Sequence, residues 1–249
     1  MRILGKNIFP RTYFKLLKDA FLRLVGAFFP GNRRKGFTFI DKYAVRRIID
    51  YYGCYGGDEG HQIDKKSGNL GYGFIHYALI RNLKSKRVLC VGSGKGLIPA
   101  ICALACKDNQ MGFVDFVDAG YGKNHPKSWA GDGFWKKVDP ERHFSLLGVS
   151  DWIKTYVMTS QDFAKKFPKR SYGYISLDGD HSYEGVKLDY ELFWPKLKEG
   201  GFMAFHDVTV KQWGKLKNFG VWKLWQELKN EHKIIFPLKQ SGLGILQKD

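Results

Sequence analysis

The sequence predicts an α/β fold. Its core is a doubly wound, mostly parallel sheet closed by an antiparallel C-terminal hairpin, and a helical extension precedes it. Three observations carry this reading. Short apolar runs bounded by turn residues alternate with stretches of helical periodicity. The first run passes into a helix through the glycine-spaced segment VLCVGSGKG. The last two runs, IIFPL and LGILQ, lie too close together for a crossover helix and must pair antiparallel.

The elements follow in order. Over residues 1–40, Leu16, Leu17, Ala20, Phe21, Leu24 and Phe28 fall on one helical face with Lys15, Lys18 and Arg23 around it, until Pro30-Gly31 stops the helix. This basic amphipathic extension is set apart from a second unit, residues 41–249. Within that unit, Tyr43–Tyr51 and Tyr72–Asn82 read as helices and Arg87–Val91 as a strand. Leu97–Lys107 is an apolar helix, and Phe113–Val117 and Lys154–Met158 are strands. Tyr174–Leu177, a helix near Glu184–Leu197, the strand Phe202–Phe205 and a helix over Val221–Glu231 lead to the closing hairpin. Counting the hairpin, this makes seven strands. One segment breaks the rhythm: Ala119 to about His143 reads as a long loop rich in Gly, Lys and Trp. Loops of that length in a compact domain serve a site or are disordered, and Trp129, Phe134 and Trp135 argue against disorder.

Composition bounds the function. At 249 residues, 44% hydrophobic and 16% aromatic, the chain has material for a sizeable core, which excludes wholesale disorder. The net charge is +17, and residues 1–50 alone carry 12 Lys or Arg against 3 Asp. Such an excess suits an acidic partner (anionic lipid, nucleic acid or a phosphorylated substrate), although it also serves solubility alone. Cys54, Cys90, Cys102 and Cys106 form no CxxC pair and complete no zinc spacing, so they read as small buried thiols of a reducing compartment. The stretch FKLLKDAFLRLVGAFF is broken by Lys18, Asp19 and Arg23. It reads neither as a cleavable signal nor as a membrane span. Its stripe suits three roles equally: lying on an anionic membrane, docking on its own domain, or meeting a partner subunit in a homo-oligomer.

The glycines of the first loop are Gly92, Gly94 and Gly96. A glycine turn between strand and helix lets a ligand approach the backbone closely. A dinucleotide fingerprint needs its third glycine where Leu97 stands, and a P-loop needs Gly-Lys-Ser/Thr, which is missing here. The second informative pattern is a pair of strand endings. YISLDGDHSYEG runs into Asp178, Asp180 and His181, and GGFMAFHDV runs into His206 and Asp207. In a parallel α/β sheet both endings face the ligand crevice. Carboxylates with imidazoles suit a divalent ion, Mg²⁺ or Mn²⁺, with nitrogen shifting the preference away from Mg²⁺. Helix capping is the plainer account of such acids, but a cap needs one of them, not a cluster of five groups.

Over roughly residues 58–247 the chain resembles the class I S-adenosylmethionine-dependent methyltransferases, whose sheet is Rossmann-like and seven-stranded. The resemblance implies that Gly92, Ser93, Gly94 and Gly96 pass under the cofactor and that Asp118, after FVDFV, holds its ribose hydroxyls, with Asp115 as the weaker alternative. Within LLGVSDWIKTYVMTSQDF, it sets Ser160 and Gln161 near the adenine. DGDHSYEG followed by HDV looks like the branch containing sugar O-methyltransferases and cephalosporin-hydroxylase-like proteins. That likeness makes Asp178 and Asp207 metal ligands, with His206 at a place often held by aspartate; Asp178 is shared with the cofactor side. It makes Asp180 the general base. His181 competes for that role, because imidazole titrates near neutrality.

The expected function is therefore O-methylation of a hydroxyl, on a sugar or glycan precursor, using S-adenosylmethionine and a divalent ion. The expected setting is the cytoplasm, at the inner membrane face if the basic helix binds lipid. Nucleic-acid methylation is the alternative that the charge encourages. Against it, base-amino methyltransferases carry an Asn/Asp-Pro-Pro-aromatic tetrapeptide after strand four, and this chain has no Pro-Pro. A non-catalytic, membrane-associated interaction protein with a degenerate methyltransferase fold is the third reading. The intact glycine loop and acid cluster disfavour it.

Overall fold

A computed structural model describes residues 40–53, 63–122, 125, 133–213, 217–229, 232–237 and 241–249. The basic N-terminal stripe, Cys54, Lys127 and Trp129 lie outside the described residues.

The chain builds the expected seven-stranded sheet. Its strands are β1 (Val88–Val91), β2 (Val114–Asp118), β3 (Ile153–Val157), β4 (Tyr172–Leu177) and β5 (Leu197–His206), and, after the ribbon β6 (Gln212–Trp213) and β7 (Lys217–Asn218), β8 (Lys233–Phe236) and β9 (Leu243–Gln247). The order across the sheet is β3-β2-β1-β4-β5-β9-β8. The first five strands pair in parallel, β9 runs antiparallel to β5, and β8 antiparallel to β9. The chain winds outward from β1 through β2 to β3, then returns to β4 on the other side of β1. The carboxyl ends of β1 and β4 thus form the switch point where α/β sheets hold ligands.

Helices cover both faces. These are α1 (Lys42–Tyr52), α2 (Tyr72–Leu83), α3 (Leu97–Asn109), α4 (Phe134–Lys137), α5 (Pro140–Leu147), α6 (Ser160–Lys166), α7 (Tyr183–Phe193) and α8 (Val221–Glu227). Strand alternation divides the core. Val88, Cys90, Phe116 and Tyr174 face a cluster built with α1 to α5, whereas Leu89, Val91, Ile175 and Met203 face one built with α6 to α8. The central helix α3, LIPAICALACKDN, is apolar almost all round and almost wholly buried, which is what a helix sandwiched between the sheet and outer helices requires. Cys90, Cys102 and Cys106 are free thiols inside the same core, as small buried groups should be.

Three elements differ from expectation. The loop after β2 is shorter than Ala119–His143, because α4 begins at Phe134 and α5 at Pro140, and Trp135 is buried rather than poised over a site. The helix predicted over Glu184–Leu197 ends at Phe193, where Pro195 closes it with a 3₁₀ turn and β5 begins at Leu197. The last helix stops at Glu227. The hairpin β8–β9 stands as predicted.

Candidate active site

The glycine loop leaves β1 at Val91 and enters α3 at Leu97, with Gly92, Gly94 and Gly96 all at positive φ. Each glycine answers a different demand. A Cβ on Gly92 would stand 2.3 Å from the Asp178 carbonyl oxygen, so Gly92 exists for the close approach of β4's exit loop. A Cβ on Gly96 would strike the Trp135 indole at 2.7 Å. A Cβ on Gly94 would meet no described residue within 4 Å, so that side of its backbone faces open space. Two side chains on the far side hold the loop. The Trp135 indole N–H donates to the Gly94 carbonyl at 2.8 Å, and the Tyr52 hydroxyl donates to the Lys95 carbonyl at 3.0 Å. Tyr52 also meets His143 Nε2 at 3.1 Å, and burial lowers the His143 imidazole to about 4, which keeps it neutral. These three residues were not legible as loop supports, because helical periodicity marks an aromatic only as core.

Asp118 ends β2 beside this loop and accepts the Gly120 N–H at 2.7 Å. Burial, joined by the charge of Asp178, pushes its carboxyl up to about 6 against the bonds it accepts from Gly120 and Ser93. Asp118 therefore faces the loop and Asp178. Asp115, the weaker candidate, does not: it is fully buried between Arg87 at 2.8 Å and Arg170 at 3.1 Å and is a structural ion cluster. Ser160 and Gln161 open α6 just after β3, with Thr159 capping that helix on the Asp162 N–H.

The two strand endings converge. Asp178 follows β4, and its N–H donates to the Val91 carbonyl, which ties it to the first loop. Asp178 Oδ1 stands 3.1 Å from His206 Nδ1 and 3.6 Å from His181 Nε2. His181 Nδ1 stands 3.0 Å from Asp207 Oδ2, His206 Nδ1 3.3 Å from Asp207 Oδ1, and His206 Nε2 3.3 Å from the Ser241 hydroxyl. Burial works to lower the His206 imidazole, but the carboxylates of Asp178 and Asp207 outweigh it and hold the ring well above the usual range. Burial likewise works to raise Asp207, yet His206 and His181 hold its carboxyl well below the usual carboxylate range. Asp207 also sits at φ +63°, a left-handed conformation that a non-glycine residue keeps only when its surroundings enforce it.

The sequence groups Asp178, His206 and Asp207 as ligands. The geometry instead brings the donor atoms of Asp178, His181 and His206 within 4.8 Å of one another, with Asp207 adjoining both rings. Asp180 turns toward α7: its Oδ1 accepts the Ser182 N–H at 3.0 Å, and its carboxyl packs on Gly185. Ser182 in turn caps α7 on the Gly185 N–H.

Residues 89–208 match the family described as "Methyltransferase domain". An uncharacterized protein of Sinorhizobium fredii is 28% identical over 188 residues, which is 75% of this chain; the chain spans about a fifth of that relative's length. Among solved structures, the O-methyltransferase of Streptomyces achromogenes involved in tomaymycin synthesis, determined with S-adenosylmethionine, aligns at a TM-score of 0.55 with 11% identity over 91% of this chain and 96% of its own. The Bacillus cereus O-methyltransferase with S-adenosylhomocysteine gives 0.52 at 9% identity, over 92% and 97%. A Podospora anserina methyltransferase bound to S-adenosylhomocysteine gives 0.53 at 14% identity, over 99% and 100%. The shared feature is the fold.

Proposed function

We propose that this chain, whose fold is that of the class I methyltransferases, transfers the methyl group of S-adenosylmethionine to a hydroxyl oxygen of a sugar or glycan precursor. One juxtaposition carries the reading. The open backbone at Gly94 and the half-buried Asp118 stand at the same sheet edge as the acid–imidazole cluster that ends β4 and β5. The first pair suits an adenosyl cofactor, with the loop along its methionine and ribose and the Asp118 carboxylate accepting from the ribose hydroxyls. Ser160 and Gln161, at the start of α6 after the neighbouring strand β3, are the candidates to meet the adenine.

The cluster suits the acceptor. Methyl transfer forms a C–O bond as the C–S bond breaks, its electron pair returns to sulfur, and the hydroxyl proton passes to a base. Asp180 and His181 are the candidate bases. The donors of Asp178, His181 and His206 fit a divalent ion, which would supply the Lewis acidity that makes a hydroxyl nucleophilic at neutral pH. Holding cofactor and acceptor in line at one strand edge supplies much of the remaining rate. The sugar class draws support from the charge of +17 and from Tyr121 and His125, whose rings stack at 3.7 Å on the loop after β2. Aromatic faces pack well on sugar C–H groups.

Two measurements test the reading. Calorimetry should show S-adenosylhomocysteine binding in the micromolar range, about −8 kcal/mol, lost in Gly94→Val. Transfer of a labelled methyl group should then be scored over phosphorylated and nucleotide sugars, catechols, DNA and RNA. A folded wild-type chain that binds no cofactor would sink the proposal. Labelling of catechol alone would overturn the sugar class, and labelling of nucleic acid would favour the alternative enzyme.

A further inference from the structure

We propose that the amino-terminal edge of the sheet, opposite the candidate active site, is a docking surface for an anionic phospholipid bilayer, and that it sets the domain with its site facing away from the membrane. The surface stands independently of the methyltransferase reading; only its consequence for the acceptor rests on that reading.

Three segments build the edge. KSKR (84–87) leads into β1, KKFPKR (165–170) into β4 and WPKLKEG (194–200) into β5. Because β1, β4 and β5 lie side by side in parallel, their starts share one edge. Cross-links hold the segments there. The Gly173 N–H donates to the Arg87 carbonyl at 3.1 Å, Lys196 Nζ to the Pro168 carbonyl at 2.6 Å and, from the end of β9, Lys248 Nζ to the Leu197 carbonyl at 2.8 Å. Together the three segments carry nine Lys or Arg against one acid, Glu199. The opposite ends of β2, β4 and β5 carry Asp118, Asp178 and Asp207 instead. The domain is thus polarised along its strands, with cations where they begin and carboxylates where they end.

The chemistry of these cations selects the partner. Arg87 and Arg170 both bind Asp115, at 2.8 and 3.1 Å, so the guanidinium forks that would read a base edge are engaged. Cations also cover the aromatic rings of the edge. The Arg170 guanidinium stands 3.4 Å from the Phe167 centroid, and Lys248 Nζ stands 5.8 Å over Trp194. Those covered faces give a nucleobase nothing to stack on. The cations left at the surface are lysines, among them Lys84, Lys86, Lys165, Lys166, Lys169 and Lys198. Lysines are point charges on flexible stems, suited to the spread negative charge of anionic headgroups. Lys154 near the start of β3 and Lys233 at the start of β8 extend the row across six strand spacings, about 29 Å, well beyond the Debye length of about 8 Å at physiological salt. The lysines therefore act singly and orient the domain on a surface rather than anchor it alone. β1 and β4 are four and six residues long, which holds the candidate site roughly 13 to 20 Å off the bilayer. The acceptor then has to stand off the membrane too, as a sugar on a nucleotide or on an extended glycan does.

The full chain and two triple variants are titrated, at physiological salt, with phosphatidylcholine vesicles that contain or lack phosphatidylserine. Lys86→Glu, Lys166→Glu and Lys169→Glu together reverse the edge. Lys66→Glu, Lys187→Glu and Lys223→Glu make the same change in net charge at exposed lysines elsewhere on the domain. The edge variant should lose at least about tenfold in affinity for the anionic vesicles and the control less than about threefold, and on neutral vesicles the three proteins should not differ. Thermal melts show which variants are folded; a glutamine triple at the same three edge positions, with a smaller loss expected, replaces a reversal that does not fold. Wild-type chain that ignores phosphatidylserine, equal losses in the two variants, or an edge variant that binds like wild type would each overturn the proposal. A single-stranded RNA of about 20 nucleotides is titrated alongside. RNA binding that only the edge variant loses, with vesicle binding unchanged, would overturn the lipid assignment and give the edge to nucleic acid.

Discussion

Gly92 and Gly94 lie two residues apart on one loop, both at positive φ, yet a side chain would meet backbone at the first and open space at the second. The spacing G-x-G-x-G is visible in the sequence; which glycine yields to a ligand is not, because that depends on where β4 ends. Asp118 shows the same division. Its place after β2 is legible, but its raised carboxyl arises from burial and from Asp178, sixty residues away in the chain. A carboxyl whose folded value is about 6, above the unfolded range, contributes stability at low pH that is lost as pH rises through that value. Asp118→Asn should therefore melt higher than wild type at pH 7, with the difference vanishing near pH 4, while S-adenosylhomocysteine affinity falls more than about tenfold. Thermal melts at both pH values and a titration at pH 7 check this. A variant that is less stable at pH 7 would mean Asp118 is structural.

At the scale of elements, the segment after β2 is the informative one. Its Gly, Lys and Trp content reads as a long loop serving a site, but α4 and α5 turn Trp135 inward, where its ring stacks on Phe144 at 5.5 Å and its N–H reaches the Gly94 carbonyl. With Tyr52 on α1, this second layer holds the glycine loop from behind. Trp135→Phe keeps the stacking and removes the hydrogen bond; Tyr52→Phe removes the bond to Lys95. Each should cost about 1 kcal/mol of stability and weaken S-adenosylhomocysteine binding several-fold, with coupling between them because both act on adjacent carbonyls. Denaturant melts and calorimetry on the two single variants and the double variant measure it. Cofactor affinity unchanged in the double variant would reduce the pair to packing.

At the scale of the whole molecule, charge and sheet order act at different ranges. The winding β3-β2-β1-β4-β5-β9-β8 brings residues from 92 to 241 to one edge. The excess of basic residues is concentrated before residue 50. Among the described residues no helix is long and apolar enough to cross a membrane. The stripe of Leu16, Leu17, Phe21, Leu24 and Phe28 is proposed to lie on an anionic surface, near a lipid-linked or nucleotide-linked acceptor. Full chain should pellet with vesicles containing phosphatidylserine, in a salt-dependent way, and a chain beginning at Lys35 should stay in solution. Equal sedimentation of the two would assign the stripe to its own domain or to a second copy.

The sequence by itself determined the order of the seven sheet strands and of the longer helices, the closing hairpin, three buried thiols and the two chemical strand endings. All of these follow from local periodicity, turn residues and short spacing. Only the tertiary structure decided which polar groups meet. Asp115 and Asp118 are three residues apart on one strand, but the first is closed between two arginines and the second faces the loop. His181 reads in the sequence as a competitor to Asp180 for the base, because imidazole titrates near neutrality. Its contact with Asp178 lies three residues back in the same loop, but its contact with Asp207 comes from β5 lying beside β4, a pairing across more than twenty residues that no local pattern encodes. Periodicity reports which face of an element is buried; the partner it is buried against is set by packing at long range.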